Sequence, residues 1–89
     1  MKIKTGFVIR QLAGQWVVVP TGSLVIDFGS MISLNDTGAF LWQALETECT
    51  EASLHARLME VYEIDADVAR ADLNAFLTRL RENDILEES

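Results

Sequence analysis

Up to Asn35 the chain runs in short apolar, β-branched stretches broken by glycine; beyond it the apolar residues recur at intervals of three and four. Phe7-Val8-Ile9-Arg10-Gln11-Leu12 predicts a strand, Ala13-Gly14 a tight turn, and Gln15-Trp16-Val17-Val18-Val19 a second strand ended by Pro20. An apolar run as continuous as Trp16–Val19 suits a central strand better than an edge. Thr21-Gly22-Ser23 and Asp27-Phe28-Gly29-Ser30 have turn chemistry. Between them, Leu24-Val25-Ile26 fits either a short extra strand or the buried part of a loop. Met31-Ile32-Ser33-Leu34 predicts the third clear strand. A sheet of so few strands leaves an open edge.

The second half predicts three helices. Asn35 or Asp36 can cap the first, from Thr37 to Leu45, with Phe40, Leu41, Trp42 and Leu45 as its apolar patch. Thr50 starts the second, where Leu54, Leu58, Val61 and Tyr62 fall at helical spacing. Asp65 caps the third, and Asp67 sits in its positive first turn. Ala69, Leu73, Phe76, Leu77 and Leu80 form its core stripe. Asn83-Asp84 breaks that helix, Ile85-Leu86 returns to the core, and Glu87-Glu88-Ser89 is expected to fray. The fold class is therefore α+β: a small N-terminal antiparallel sheet of about three strands followed by three helices, related to winged-helix domains.

Composition narrows the function. With 89 residues the chain is expected to be a single domain spanning 1–89, too small for a large catalytic cleft. One cysteine excludes an internal disulfide, and one cysteine with one histidine makes a metal staple improbable. The net charge of -7 counts against nucleic acid and against anionic membranes, both of which need clustered cations, and is compatible with a protein partner. No apolar stretch reaches the roughly 18 residues of a membrane span, and the start lacks a signal-peptide pattern. A cytoplasmic protein is expected.

Candidate chemistry is sparse. Glu51 and His55 stand one turn apart, an arrangement that is usually a surface pair. Cys49 precedes a helix N-cap, where a thiolate is somewhat favoured, although a half-buried structural residue is the plainer reading. The third helix offers more. Arg70, Asn74, Leu77 and Arg81 share one side, so two of the seven cations of an acidic chain flank an apolar residue. They form either a solvated face or a wall for an amphipathic or acidic peptide.

Several segments resemble the PqqD family, whose domain is also called the RiPP precursor peptide recognition element. The most specific is Ile32-Ser33-Leu34-Asn35-Asp36-Thr37-Gly38-Ala39-Phe40-Leu41-Trp42, similar to the family's strand ending in Leu-Asn followed by an aliphatic–Trp pair on the first helix. Thr50, Tyr62-Glu63-Ile64-Asp65, Asp72-Leu73-Asn74-Ala75-Phe76-Leu77, Leu80 and Ile85-Leu86 continue the likeness, which spans Phe7 to Leu86. Members of the PQQ pathway usually carry glycine before the last hydrophobic pair. Here Asn83-Asp84 stands in that place, and asparagine tolerates the left-handed backbone such a turn requires. This departure points to a different peptide pathway.

The resemblance implies a protein without catalytic activity, cofactor or metal. It implies a binder that takes the leader of a ribosomally made precursor peptide and presents it to a modifying enzyme, commonly a radical SAM enzyme. The leader would add as an antiparallel strand to Met31, Ile32, Ser33 and Leu34 and lie against Arg70, Leu73, Asn74, Leu77 and Arg81. Competing readings are a homodimer through the same edge, a winged-helix DNA-binding regulator, and a small interaction subunit with no role in peptide processing.

Overall fold

In the computed structural model, residues 1–21 and 32–88 are described. Strand β1 is Lys2–Ile3, β2 is Phe7–Leu12, β3 is Gln15–Pro20 and β4 is Ile32–Leu34. Helices α1 (Asp36–Ala44), α2 (Glu51–Tyr62) and α3 (Ala66–Glu82) follow, and β5 (Leu86–Glu87) ends the order. The expected α+β class and the three helices are present, with boundaries within a residue or two of those expected. Leu24–Ile26 and Met31 lie outside the described residues.

The three-stranded sheet is antiparallel in the order β2-β3-β4. β2 and β3 form a hairpin closed by Ala13 and Gly14, with Leu12 opposite Gln15 and Phe7 opposite Pro20. Both turn residues have positive φ, 51° and 80°, as a two-residue hairpin that follows the strand twist demands. β3 is the central strand. Val17 and Val18, on opposite faces, are both buried, which is why this run lacks polar alternation. β4 sets Leu34 opposite Trp16, Ser33 opposite Val17 and Ile32 opposite Val18. Ile32 and Leu34 are buried while Ser33 between them is exposed, the two-residue period of a half-buried strand.

Each helix starts on a side-chain cap. The Asn35 carboxamide oxygen accepts from the Gly38 amide at 2.7 Å. Thr50 and Ser53 form a reciprocal capping box. A carboxylate oxygen of Asp65 accepts from the Val68 amide at 2.9 Å. Trp42, Leu41, Leu45, Leu54, Leu58, Leu73, Leu77, Leu80 and Ile85 are fully buried in one core that also takes in Val18, Ile32 and Leu34. Val61, which the helical spacing aligned with Leu54 and Leu58, is 54% exposed. Tyr62 is exposed as well, but its ring meets Phe40 edge-on at 5.7 Å and so links the end of α2 to α1.

The chain ends differ from expectation. Lys2 pairs with Glu87 and Ile3 with Leu86 in a two-stranded ribbon. The Ile3 amide donates to the Leu45 carbonyl at 2.9 Å, which sews the ribbon to α1. Glu87 is therefore paired rather than frayed, and Glu88 accepts from Arg81 at 2.7 Å. The turn after α3 also works differently. Asn83 keeps a negative φ of -102° and donates its side-chain amide to the Arg79 carbonyl. Asp84 takes the left-handed conformation, φ 57°.

Two stability outcomes follow. Ala13→Asn relieves an alanine held at positive φ, and thermal unfolding should show a gain of about 0.5–1 kcal/mol. Leu77→Ala empties a fully buried site, and denaturant titration should show a loss of about 2–5 kcal/mol.

Candidate functional site

A cleft opens where β4 passes into α1 and α3 crosses beside them. Leu34, Asn35, Thr37, Gly38 and Leu41 line one wall, and Asp72, Ala75, Phe76 and Arg79 line the other. A continuation runs past Ser33, Trp16 and the hairpin turn at Gly14 and Gln15, again with Arg79 on its border. The floor is apolar, because Leu34, Leu41 and Phe76 bring core side chains up to it. Among the described residues, β4 pairs with β3 alone, so the backbone on its other side has no strand against it.

The local sequence shapes the strand–helix wall. Asn35 ends the strand by drawing the Gly38 amide onto its side chain, and α1 starts at the next residue. A Cβ at Gly38 would stand 3.3 Å from both Leu34 Cβ and Asn35 Oδ1, so a side chain here would push the strand and the helix apart by a few tenths of an ångström. Gly38 is thus a matter of space rather than of backbone angle.

The residues expected to form the binding wall do not all meet here. Ile32, Ser33 and Leu34 lie along β4, with Ser33 and Leu34 bordering the cleft. Leu73 and Leu77 are fully buried and offer no surface to a ligand. Arg70 and Asn74 are exposed but do not line the cleft. Arg81 faces α2 and the C-terminal strand, where its guanidinium reaches Glu51 at 3.0 Å and Glu88 at 2.7 Å. Hydrogen bonds from Arg81 hold the Glu88 carboxyl below the usual range.

The reason is rotational. At about 100° per residue, Asp72, Ala75, Phe76 and Arg79 occupy one flank of the core stripe of α3. Arg70, Asn74, Leu77 and Arg81 occupy the other, half a turn away. Both sets recur at helical spacing, and which one borders the strand is decided by how α3 packs. Asp72 and Arg79 on α3 carry charge at the site, and Asp36 adds a carboxylate along the continuation. None of the three makes an ion pair among the described residues, although Arg81 on the far flank is doubly paired.

The remaining candidates are structural. His55 Nε2 lies 2.9 Å from the Ala66 carbonyl and links α2 to the start of α3, while Glu51 is taken by Arg81. Burial pushes the Cys49 thiol up, which opposes the thiolate that its place before α2 suggested. Among the described residues, no group of three or more His, Cys, Asp or Glu is placed to hold a metal ion. No helix there is long and apolar enough to cross a membrane.

Comparison with known proteins agrees with this architecture. A solved structure described as TbiB1 in complex with the TbiA(beta) leader peptide is similar, with a TM-score of 0.75 and 22% sequence identity over 100% of this chain and 98% of the other. At that identity the likeness speaks for the fold. No curated protein matches the chain significantly. The family model of coenzyme PQQ synthesis protein D (PqqD) matches residues 15–86, from the start of β3 to β5. The chain belongs to the PqqD family.

Proposed function

We propose that this protein is a non-catalytic recognition domain that binds the leader of a ribosomally made precursor peptide and presents it to a modifying enzyme, such as a radical SAM maturase, in the cytoplasm. The observation that carries the reading is the side of β4 that no strand among the described residues covers, beside the α3 cleft, in a fold similar to that of TbiB1 in its leader-peptide complex. The leader adds antiparallel to Ile32–Leu34. Its backbone hydrogen bonds supply affinity, and the side chains facing α3 supply specificity.

The wall proposed here is Asp72, Ala75, Phe76 and Arg79 together with Ser33 and Leu34. Arg70, Asn74 and Arg81 belong to the opposite flank, where Arg81 is held by Glu51 and Glu88. Pairing of two copies through β4 is opposed by the charge of -7 on each. A DNA-binding use of α3 is opposed by the acids Asp67, Asp72 and Glu82 among its arginines.

Backbone amide NMR with the synthetic leader of a precursor encoded beside this gene tests the reading. Shifts should centre on Ile32–Leu34 and Asp72–Arg79 and spare Arg70 and Arg81. Ala75→Glu places a longer, charged side chain in the cleft from an exposed helix position, and it should weaken binding at least tenfold while thermal stability stays near wild type. Undiminished binding to the Ala75→Glu variant, or shifts centred on Arg70 and Asn74, would sink the assignment.

A further inference from the structure

The three-stranded sheet has two outer strands, and among the described residues neither has a second strand beside it. They differ in what they offer. β4 presents Ile32–Leu34, with no charged side chain. β2 presents Phe7–Leu12, twice the length, with Arg10 as its one charge. By length and apolar content β2 is the better template for an added strand. Strand addition confined to β4 therefore requires that β2 be closed.

The register shows which groups β2 turns outward. The Thr21 amide donates to the Gly6 carbonyl at 2.8 Å, one step beyond the pairing of Phe7 with Pro20. Bonded pairs alternate along an antiparallel ladder, so Val8, Arg10 and Leu12 turn their amides and carbonyls towards β3. Those of Ile9 and Gln11 point away from it. The Arg10 side chain is exposed and makes no ion pair among the described residues. Its guanidinium donates to the Ile9 carbonyl at 3.4 Å and so occupies an acceptor in the middle of the edge. On the sheet face turned away from the helices it also separates Val8 from Leu12, which is 55% exposed.

The strand always at hand for such an edge is the same strand of a second copy. Two β2 strands pairing antiparallel about a twofold axis must set outward-pointing residues opposite one another. The longest registers that do so join residues 7–11 of both copies, or residues 8–12 of both. In the second, Arg10 faces its own twin with Cα atoms about 4.5 Å apart. In the first, the twin is the diagonal neighbour, about 7–8 Å away on the same face. Each register thus brings two guanidinium groups together and takes the Ile9 carbonyl from Arg10. We infer that Arg10 closes the β2 edge against a second copy of this chain and so leaves β4 as the edge that takes a strand. The first half stands on the sheet alone; the second rests on the strand-addition reading above.

Sedimentation of the full chain tests this. Wild type and Arg10→Lys, which keeps the charge, should run as single chains. Arg10→Val, a strand-favouring change at an exposed position, should form a dimer, with self-association stronger than wild type by about tenfold or more. The change makes the chain more negative, so weaker overall repulsion cannot produce that dimer. Adding Gln11→Pro removes an outward amide where an edge strand tolerates proline, and should return Arg10→Val to a single chain. Circular dichroism checks that each variant folds. A single-chain Arg10→Val, a wild type that is already dimeric, or an Arg10→Val dimer that survives Gln11→Pro overturns the inference. Leader binding at β4 is read separately, from the amide shifts at Ile32–Leu34, so either reading can fail without the other.

Discussion

The junction between Leu34 and Gly38 holds the site together. Leu34 must be buried to anchor β4, and the chain must then turn into a helix at once, because α1 supplies Leu41 and Trp42 to the same core. Asn35 makes this possible by satisfying an amide that the first helical turn leaves without a backbone partner. The missing side chain at Gly38 lets the helix start against the strand. A looser junction would move α1 away from β4 and change the cleft between them. One hydrogen bond of 2.7 Å and one absent Cβ thus hold the strand–helix wall of the site together.

α3 is the second fixed wall, and its role depends on being buried along one stripe only. Ala69, Leu73, Phe76, Leu77 and Leu80 hold it in the core, which leaves two borders at the surface. One border is bound up in structure: Arg81 bridges Glu51 of α2 and Glu88 beside β5. On the other, beside β4, Asp72 and Arg79 make no ion pair among the described residues. That division explains how an acidic chain can present a usable cation. Arg79 is left without a carboxylate partner among the described residues, while other acids are occupied as helix caps or tethers, as Asp65 and Glu51 are.

Much of this was readable before any coordinates. The valine run of β3 announced a central strand, and the caps at Asn35, Thr50 and Asp65 marked three helix starts, because those side chains act on neighbours three residues away. The stripe of α3 was equally clear. The side of that stripe that borders β4 was not, since periodicity is the same for both flanks and only packing distinguishes them. The 72, 75, 76, 79 spacing was present in the sequence, next to a more conspicuous stripe bearing two arginines. The ribbon of β1 and β5 was hidden for another reason. Two-residue strands carry no period, and their pairing spans the whole chain. The exposure of Val61 shows the converse, a residue in phase with the core but beyond the reach of its neighbours.

The ribbon has an architectural consequence. Hydrogen-bonded strands lie about 4.8 Å apart, so β1 and β5 bring the two ends of the fold to one place, tied down by Ile3 and Leu86 in the core. A fold whose entry and exit coincide can be set into a loop of a larger protein, or joined end to end and reopened elsewhere, without disturbing the sheet, the helices or the cleft. Its geometry suits a module that travels between proteins as a unit.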